Sequence, residues 1–515
     1  MNLNRKLWWA QHKNDVYKYS TFILLFLIVT ISIIYFTYSK FSSRNEATAY
    51  ETTVEPFIKN DYFIASYING EWSNEIPGKN DGYEVDKIVC DNGATGTWDN
   101  TDWGINIRNA TKKTKCSVYF EIPLDINVEL AQGMIPVKFD DAGNVIVADT
   151  STKWYNYKTH EWANAVLVNC ADSSIKSKYF DSNNKVLASA VGKTISMDEI
   201  MQMYVYIPRY RYKLFNAEDG TSNPQAINIT FESKTTAKST GSRNGEWLTH
   251  PAFTFGDKEL AGIWVGKFET SNTAALPKIV PNVSSLKNMN VSAQFNTSRL
   301  MTTTLASTYG TSTNDDSHMM KNMEWGAVAY LSSSIYGRYT NASTCIASGC
   351  EVWINNNSSY TTGCAGSSVS ASYASTCNAW NTATGVNAST TGNIYGIYDM
   401  SGGAHEYVMG NYNDTISGAG FSSMPEAKYY DKYTGTDSNS DFTKYHFGDA
   451  TKETVKTKSL ISWYQDNSYS VLSSLPWVLR GGGYRSSTSA GVFGFDADNG
   501  NSSTSGSFRV VLGAL

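Results

Sequence analysis

The chain has none of the short motifs that mark the common nucleotide-dependent and hydrolytic enzymes. It contains no P-loop, no dinucleotide-binding glycine motif, no G-x-S-x-G nucleophile elbow and no H-E-x-x-H zinc motif. No two histidines are spaced by two or four residues, so no strand or helix presents a pair of imidazoles on one face. The six histidines are His12, His160, His250, His318, His405 and His446.

Charged residues are also scarce, because serine, threonine, asparagine and glycine take their place. Charged residues make up 17% of the chain and the formal net charge is −5. This composition gives no basic footprint for nucleic acid, and we expect no nucleic-acid partner. The 33 tyrosines and 14 tryptophans are abundant by contrast. Such a composition is typical of adaptable binding surfaces and equally of a β-rich extracellular protein.

The seven cysteines form no C-x-x-C pair, which argues against structural zinc. Four of them lie in a polar stretch with no nearby histidine, and two disulfides would hold such a stretch together. Cys90 and Cys116 flank a tryptophan-containing segment and suit a third bridge, whereas Cys170 has no predicted partner. We therefore expect an exported protein, the alternative being reduced thiols in the cytosol. The predicted disulfide cysteines are Cys90, Cys116, Cys345, Cys350, Cys364 and Cys377.

One uncharged apolar run, Thr21–Tyr38, is just long enough to cross a membrane as a helix. Basic residues outnumber acidic ones before it, which predicts a cytoplasmic N-terminus and an extracellular C-terminal bulk. A cleaved signal peptide is the alternative, but Phe41-Ser42-Ser43 matches its cleavage site poorly. The sequence thus predicts a single-pass protein of the cell membrane.

The length of 515 residues predicts two or three domains. Period-two alternation along Lys115–Ile122, with Cys116, Val118 and Phe120 on one face, predicts a strand in a small β-sandwich-like module. The expected organisation is a cytoplasmic N-terminus over 1–20, a transmembrane helix over 21–38, a stalk over 39–56, a β-rich module over 57–125, a linker or N-terminal elaboration over 126–200, and a C-terminal domain over 201–515.

Local patterns predict a few further elements. The segments 135–139 and 144–148, joined by D-D-A-G, indicate a β-hairpin. The spacing of apolar residues predicts helices over Ile195–Met203 and Met319–Leu331. Long polar stretches over 332–392 and 411–476 are expected to be loops on a rigid scaffold, where function commonly resides.

The segment Asn393–Gly410, NIYGIYDMSGGAHEYVMG, combines apolar residues with a glycine turn between two carboxylates. Gly402-Gly403 allows a positive φ or a close backbone approach. Asp399 and Glu406, together with the carbonyls of the turn, could surround one hard cation with oxygen. An ordinary tight turn between two solvated acids is the alternative.

This segment resembles a motif of the formylglycine-generating enzyme and sulfatase-modifying-factor family, and further landmarks of that family occur in the same order. They are Met203–Phe215, MYVYIPRYRYKLF; Ile263–Asn272, IWVGKFETSN; and Trp477–Tyr484, WVLRGGGY, with Ser507–Val511, SFRVV. The resemblance spans roughly residues 200–515. It implies an α+β, C-type lectin-like C-terminal domain whose first and last strands pair.

The resemblance also implies a structural calcium ion, with the side chains of Asp399 and Glu406 and the carbonyls of Gly402 and Ala404 as its ligands. It does not carry over the family's copper-dependent oxidation, which uses two cysteines after the R-G-G segment. Ser486 stands where the first of them would fall, and residues 484–506 contain no cysteine. A serine does not replace a thiolate ligand of Cu(I).

Residues 484–506 are similar in layout to the ligand surface of the C-type lectin-like variable proteins of diversity-generating retroelements. We therefore predict a membrane-anchored, adhesin- or receptor-like protein that binds an extracellular protein or glycan. A formylglycine-generating-type oxidase and a structural subunit of a surface or phage-like fibre are the alternatives. The predicted ligand-binding residues are Tyr484, Arg485, Phe493, Phe495, Asp496, Asp498, Asn499 and Asn501.

Overall fold

A computed structural model of the chain divides it into two compact units, Met1–Leu124 and Asp125–Leu515. Within them the structure describes residues 57–59, 62–68, 71–73, 76, 84–110, 114–121, 126–217, 223–416, 418–455 and 460–513.

The first unit is built from a five-stranded sheet and a separate hairpin. The sheet has the order β1-β2-β7-β4, with β3 on β2, and β5 pairs with β6. Strands β2 and β7 run parallel, and the other pairs are antiparallel. The strands are β1 Phe57–Lys59, β2 Tyr62–Ile68, β3 Glu71–Ser73, β4 Glu84–Cys90, β5 Thr95–Asp99, β6 Gly104–Arg108 and β7 Lys115–Glu121.

Strand β7 has the alternation that its sequence predicts. Cys116, Val118 and Phe120 are buried, and the residues between them are half-buried. Trp98 packs edge-on against Phe120 with ring centroids 5.2 Å apart. A disulfide joins Cys116 to Cys90, which lies opposite on β4. This bridge was among the predicted ones.

An eight-stranded sheet forms the centre of the second unit, in the order β11-β9-β8-β10-β12-β18-β29-β21. The predicted hairpin is confirmed, because β8 and β9 pair antiparallel. The strands are β8 Ile135–Phe139, β9 Val145–Val147, β10 Asn164–Val168, β11 Thr194–Ile195, β12 Ile200–Pro208, β18 Gly262–Gly266, β21 Asp316–Met319 and β29 Val510–Gly513.

The predicted pairing of the first and last strands of the C-terminal domain is wrong. Strand β18 lies between β12 and β29 and pairs antiparallel with both. All five residues of β18 are buried, so both of its edges need partners. The closing run Ser507–Leu512 is also divided at Arg509. Its second half is β29, and its first half joins another sheet.

That second sheet has five strands in the order β25-β24-β26-β27, with β28 also on β24. Strand β24 follows the glycine turn directly. It pairs antiparallel with β26 and parallel with β25 and β28. The strands are β24 His405–Tyr412, β25 Asp431–Tyr433, β26 Trp477–Gly481, β27 Gly491–Asp498 and β28 Gly506–Phe508.

Short ribbons and helices complete the second unit. The ribbon strands are β13 Tyr210–Lys213, β14 Ile229–Phe231, β15 Trp247–Thr249, β16 Thr254–Phe255, β17 Lys258–Glu259, β19 Ser271–Thr273, β20 Leu276–Lys278, β22 Cys364–Ala365 and β23 Asn378–Ala379. The helices are α1 Ser173–Tyr179, α2 Val291–Arg299, α3 Ala306–Tyr309, α4 Asn322–Ser332 and α5 Ala342–Ile346. Single 3₁₀ turns lie at Tyr157–Thr159, Ala188–Ala190, Pro251–Phe253, Leu300–Thr302, Gly385–Ala388, Ala427–Tyr429, Trp463–Gln465 and Ser487–Ser489.

The α+β fold class expected from the sequence is wrong, because the regular structure of the described residues is mostly strands and only 14% is helical. The segment Ile195–Met203, predicted as a helix, instead ends β11 and begins β12. All nine residues of β12 are buried, and a strand that is apolar on both faces loses its period of two and imitates helical spacing. In the other predicted helix, Met319 belongs to β21, and α4 begins only at Asn322.

The predicted membrane anchor and single-pass location must also be corrected. No helix in the described part of the chain is both long and apolar enough to cross a membrane. The segment Thr21–Tyr38, on which the prediction rested, lies outside the described residues. The disulfides Cys90–Cys116, Cys345–Cys350 and Cys364–Cys377 indicate an extracellular or periplasmic location instead.

The core of the second unit contains a carboxyl group that favours its protonated form. Glu453 accepts hydrogen bonds from the hydroxyls of Tyr212, at 2.9 Å, and Tyr330, at 2.5 Å. It also accepts one from the backbone N–H of Gly448 at 2.7 Å. Burial raises the pKa of Glu453 to about 7, although these donors oppose the shift.

This raised pKa predicts a stability that depends on pH. Because the folded pKa exceeds the ordinary value of 4.5, the contribution of Glu453 is complete below that value and is lost as pH rises through about 7. Glu453→Gln keeps a neutral group of the same shape, so its free energy of unfolding should vary less between pH 5 and pH 8 than that of the wild type. Urea unfolding at several pH values measures this. The control Glu426→Gln changes an exposed residue, and an equal flattening in both variants would contradict the assignment.

Candidate functional site

The glycine turn of Asn393–Gly410 is held by contacts that leave no room for larger residues. Gly402 and Gly403 have φ of 77° and 71°. A Cβ at Gly402 would lie 2.4 Å from the carbonyl oxygen of Asn355, and one at Gly403 would lie 2.5 Å from Oε1 of Glu269. The two glycines are therefore required both for conformation and for space.

Asp399 and Glu406, the two acids flanking this turn, are buried rather than solvated. Asp399 Oδ1 accepts hydrogen bonds from Asn355 Nδ2 at 2.8 Å and from the N–H of Gly363 at 2.9 Å. Both oxygens of Glu406 accept from the guanidinium of Arg509, and the pair is almost completely buried. A bidentate ion pair thus connects the turn to Arg509, which immediately precedes the last strand.

A third acid that the sequence analysis missed, Glu269, completes this carboxylate cluster of Glu269, Asp399 and Glu406. Its oxygens accept hydrogen bonds from the N–H of Ala404, at 2.9 Å, and from the hydroxyl of Ser285. Burial raises the pKa of all three acids, that of Glu406 to about 7, and their mutual repulsion adds to the shift at Glu269 and Glu406. Glu269 lies in the landmark IWVGKFETSN, which was used only as evidence of a fold.

Calcium binding at this turn stays a prediction, and the geometry argues against it. Every carboxylate oxygen of the cluster already accepts a hydrogen bond, and Glu406 faces a guanidinium that would repel a cation. The described residues contain no group of three or more histidines, cysteines or acids that could hold a metal. The donor set formed with Asp399, Gly402, Ala404 and Glu406 therefore does not fit a calcium ion, and no metal ion enters the proposals below.

A cleft of about 240 Å³ opens beside the turn, and we call it the His405 cleft. Its polar walls are His405, Asn467, Ser486, Ser489 and Asp496, and the half-buried Leu479 adds apolar surface. Burial lowers the pKa of His405, so its imidazole is neutral at pH 7. Its Nδ1 atom is buried and has no hydrogen-bond partner in the part of the chain that the structure describes. The cleft therefore presents a carboxylate, two hydroxyls and an amide to a ligand.

A group of tyrosines with two cations forms the neighbouring surface. This tyrosine face consists of Tyr360, Tyr373, Tyr484, Arg485 and Lys287. The rings of Tyr360 and Tyr484 meet edge to face at 4.8 Å, and Tyr373 lies 6.2 Å from Tyr484. The Arg485 guanidinium lies 5.2 Å from the centre of the Tyr484 ring and 5.3 Å from that of Tyr373. Lys287 Nζ lies 4.1 Å above Tyr360.

Backbone contacts connect the tyrosine face to the carboxylate cluster. The N–H of Tyr484 donates to the carbonyl of Gly403 at 2.9 Å, directly above the buried acids. Ser487 Oγ donates to the carbonyl of Ser370 at 2.8 Å, which joins the turn after β26 to the loop that carries Tyr373. The disulfide Cys364–Cys377 closes that loop. The surface therefore lies on a fixed frame.

The structure does not bring the eight predicted ligand-binding residues together. Tyr484 and Arg485 lie on the tyrosine face, and Asp496 lines the His405 cleft. Phe493 and Phe495 are core residues, only 2% and 1% exposed. A last group lies away from the face: Asp498 accepts a hydrogen bond from the hydroxyl of Tyr407, and the Asn499 side chain accepts one from the N–H of Asn501.

The cysteines offer no copper site of the kind that formylglycine-type oxidation needs. Six of the seven are paired in disulfides, and the free one, Cys170, is buried. Ser486 itself makes a structural contact, since its hydroxyl accepts a hydrogen bond from the N–H of Gly483 at 3.0 Å. The oxidase alternative therefore has no thiolate pair on which to act.

Comparison with known proteins adds little to this picture. No family model matches the chain, and no curated protein matches it. Among solved structures, variable protein 1 of Treponema denticola is similar with a TM-score of 0.24 and 11% sequence identity, over 62% of this chain and 98% of that one. A TM-score this low carries no argument about fold or function. The resemblance to the sulfatase-modifying-factor family thus gains no support.

The first prediction for this site concerns the buried ion pair. Arg509→Leu should lower the free energy of unfolding by about 3–5 kcal/mol, because it leaves buried carboxylates without their cation. Arg243→Leu, at an exposed arginine, should change it by no more than about 0.5 kcal/mol. Denaturant unfolding monitored by tryptophan fluorescence compares the variants, and similar losses in both would contradict the role given to Arg509.

The second prediction concerns calcium. Since the carboxylate oxygens already have donors, the melting temperature should be the same in excess calcium and in excess chelator. A ligand that binds only the folded state raises the melting temperature by an amount that increases with the ratio of its free concentration to its Kd. A melting temperature that rises with calcium and falls with chelator would therefore restore the calcium site predicted from the sequence.

Proposed function

We propose that this protein is an extracellular or periplasmic ligand-binding protein whose recognition surface is the tyrosine face. The observation that carries the proposal is a cluster of three tyrosine rings with two cations on a fixed frame. Tyr373, at 61%, and Arg485 are exposed, Tyr360 and Lys287 are half-buried, and Tyr484 packs beneath them. Tyrosine and arginine are enriched at the centres of binding surfaces, because each offers a large rigid area with a polar end.

The charge of the face indicates the kind of ligand. Arg485 and Lys287 are its cations, and neither forms an ion pair within the described residues. A guanidinium that lies against tyrosine rings is held in place while its N–H groups still point to solvent, which suits a carboxylate or sulfate of the ligand. The ligand is therefore an acidic extracellular protein or glycan that also contacts the rings.

The frame beneath the face supports the same proposal. A binding surface gains affinity when its side chains and loops lose little freedom on binding. Here one loop is closed by Cys364–Cys377, and the neighbouring turn is fixed by Tyr484 on Gly403 and by Ser487 on Ser370. This rigidity distinguishes the face from an ordinary exposed loop.

The test is an array of acidic and neutral proteins and glycans probed with the full chain. Binding to acidic members should weaken by about 2 kcal/mol or more in Arg485→Ala, since an arginine at the centre of a binding surface typically contributes that much. Arg243→Ala removes an exposed arginine elsewhere and should bind like the wild type. Equal binding by all three proteins, or no binding to any acidic member, would overturn the proposal.

A further inference from the structure

The His405 cleft contains a carboxylate without a counter-charge. Asp496 is half-buried, and its oxygens accept hydrogen bonds only from the N–H of Ala497, at 2.8 Å, and from Asn467 Nδ2, at 3.1 Å. No cation pairs with it in the described residues. Among other shielded acids, Glu406 is paired with Arg509 and Asp316 with Arg299, whereas Glu453 is held by hydroxyl and N–H donors. Burial raises the pKa of Asp496, and repulsion by Asp498 adds to the shift.

The other groups around the cleft also favour a cation. His405 lines the cleft in its neutral form, so it adds no positive charge that would repel a cation. Asp498 is close enough to act electrostatically on both His405 and Asp496, and it adds a second negative charge. An anion would be repelled here, whereas a cation would be stabilised by both acids.

The shape of the cleft further restricts the cation. Its volume is many times the roughly 30 Å³ that one water molecule occupies in the liquid, so a small organic group fits. The half-buried Leu479, which lies opposite Asp496 on the neighbouring strand, provides apolar wall beside the carboxylate. A charged group at the end of a hydrocarbon stem can therefore place its stem on apolar surface and its charge on Asp496. An amino sugar, whose amine is attached directly to a polar ring, would leave that apolar wall unused.

We propose that the His405 cleft binds the side chain of a lysine residue of a protein ligand, with the ammonium on Asp496 and the methylenes on Leu479. The proposal rests on the binding function given to the tyrosine face, because the turn that carries Tyr484 and Arg485 also supplies Ser486 and Ser489 to the cleft. One ligand segment with an acidic residue and a lysine would then contact both the tyrosine face and the cleft. Its acidic side chain would bind Arg485, and its lysine would bind Asp496.

The test uses the full chain and small-molecule mimics, so it does not depend on finding the natural ligand. Nα-acetyl-lysine amide should bind to the wild type, as measured by NMR titration. Nα-acetyl-norleucine amide, which keeps the stem and lacks the amine, should bind at least about tenfold more weakly, because the charge-assisted hydrogen bond is lost. Glucosamine should also bind at least about tenfold more weakly.

Variants of the chain locate the binding. Asp496→Asn should weaken binding of the lysine mimic at least about tenfold, whereas Asp257→Asn, at an exposed acid, should leave it unchanged. Arg485→Ala should also leave it unchanged, since this residue serves the face and not the cleft. Equal binding of the lysine and norleucine mimics, preferred binding of glucosamine, or binding that survives Asp496→Asn would overturn the cleft proposal. The array experiment with Arg485→Ala would still test separately whether the tyrosine face binds an acidic ligand.

Discussion

The buried ion pair between Arg509 and Glu406 connects the parts of the second unit on which the candidate site depends. Arg509 lies where the chain passes from β28 in one sheet to β29 in the other. Its guanidinium donates to Glu406 of β24, to the carbonyl of Gly266 on β18 at 2.7 Å and to that of Tyr398 at 2.9 Å. An arginine can satisfy these acceptors together because its donors form a planar, permanently charged fork. One side chain thereby fixes two sheets and the glycine turn between them.

The tyrosine face and the His405 cleft depend on this ion pair and on the glycine turn, because a few hydrogen bonds connect them. Glu269 accepts a hydrogen bond from the N–H of Ala404, and the carbonyl of Gly403 accepts one from Tyr484 on the tyrosine face. His405 begins the strand that follows and lines the cleft. A substitution among the buried acids would therefore displace the tyrosine face even though none of them is part of it. The interior thus fixes the positions of the surface side chains.

The sequence predicted features that arise within one segment better than features that depend on distant segments. The alternation of β7, the β8–β9 hairpin and the disulfide between Cys90 and Cys116 follow from local spacing and turn residues. The burial of β12 on both faces depends on its neighbours β10 and β18, and so the spacing of its first residues, Ile200–Met203, predicts the end of a helix. Glu269, Tyr360 and Tyr373 belong to the site but lie in distant parts of the chain, and no local pattern of the sequence predicted them.

The eight predicted ligand-binding residues do not share one surface, because residues 484–506 are not the single loop that the sequence analysis assumed. The middle of this segment, Gly491–Asp498, is strand β27, in which side chains point alternately to opposite faces. Phe493 and Phe495 therefore enter the core, whereas Asp496 and Asp498 lie on the more exposed side. The glycines before this strand leave room for the imidazole of His405, because a Cβ at Gly483 would lie only 2.8 Å from its Nε2 atom. The cleft exists because the backbone of the R-G-G-G turn packs directly against this histidine, and a larger residue at Gly483 would displace the imidazole from the cleft wall.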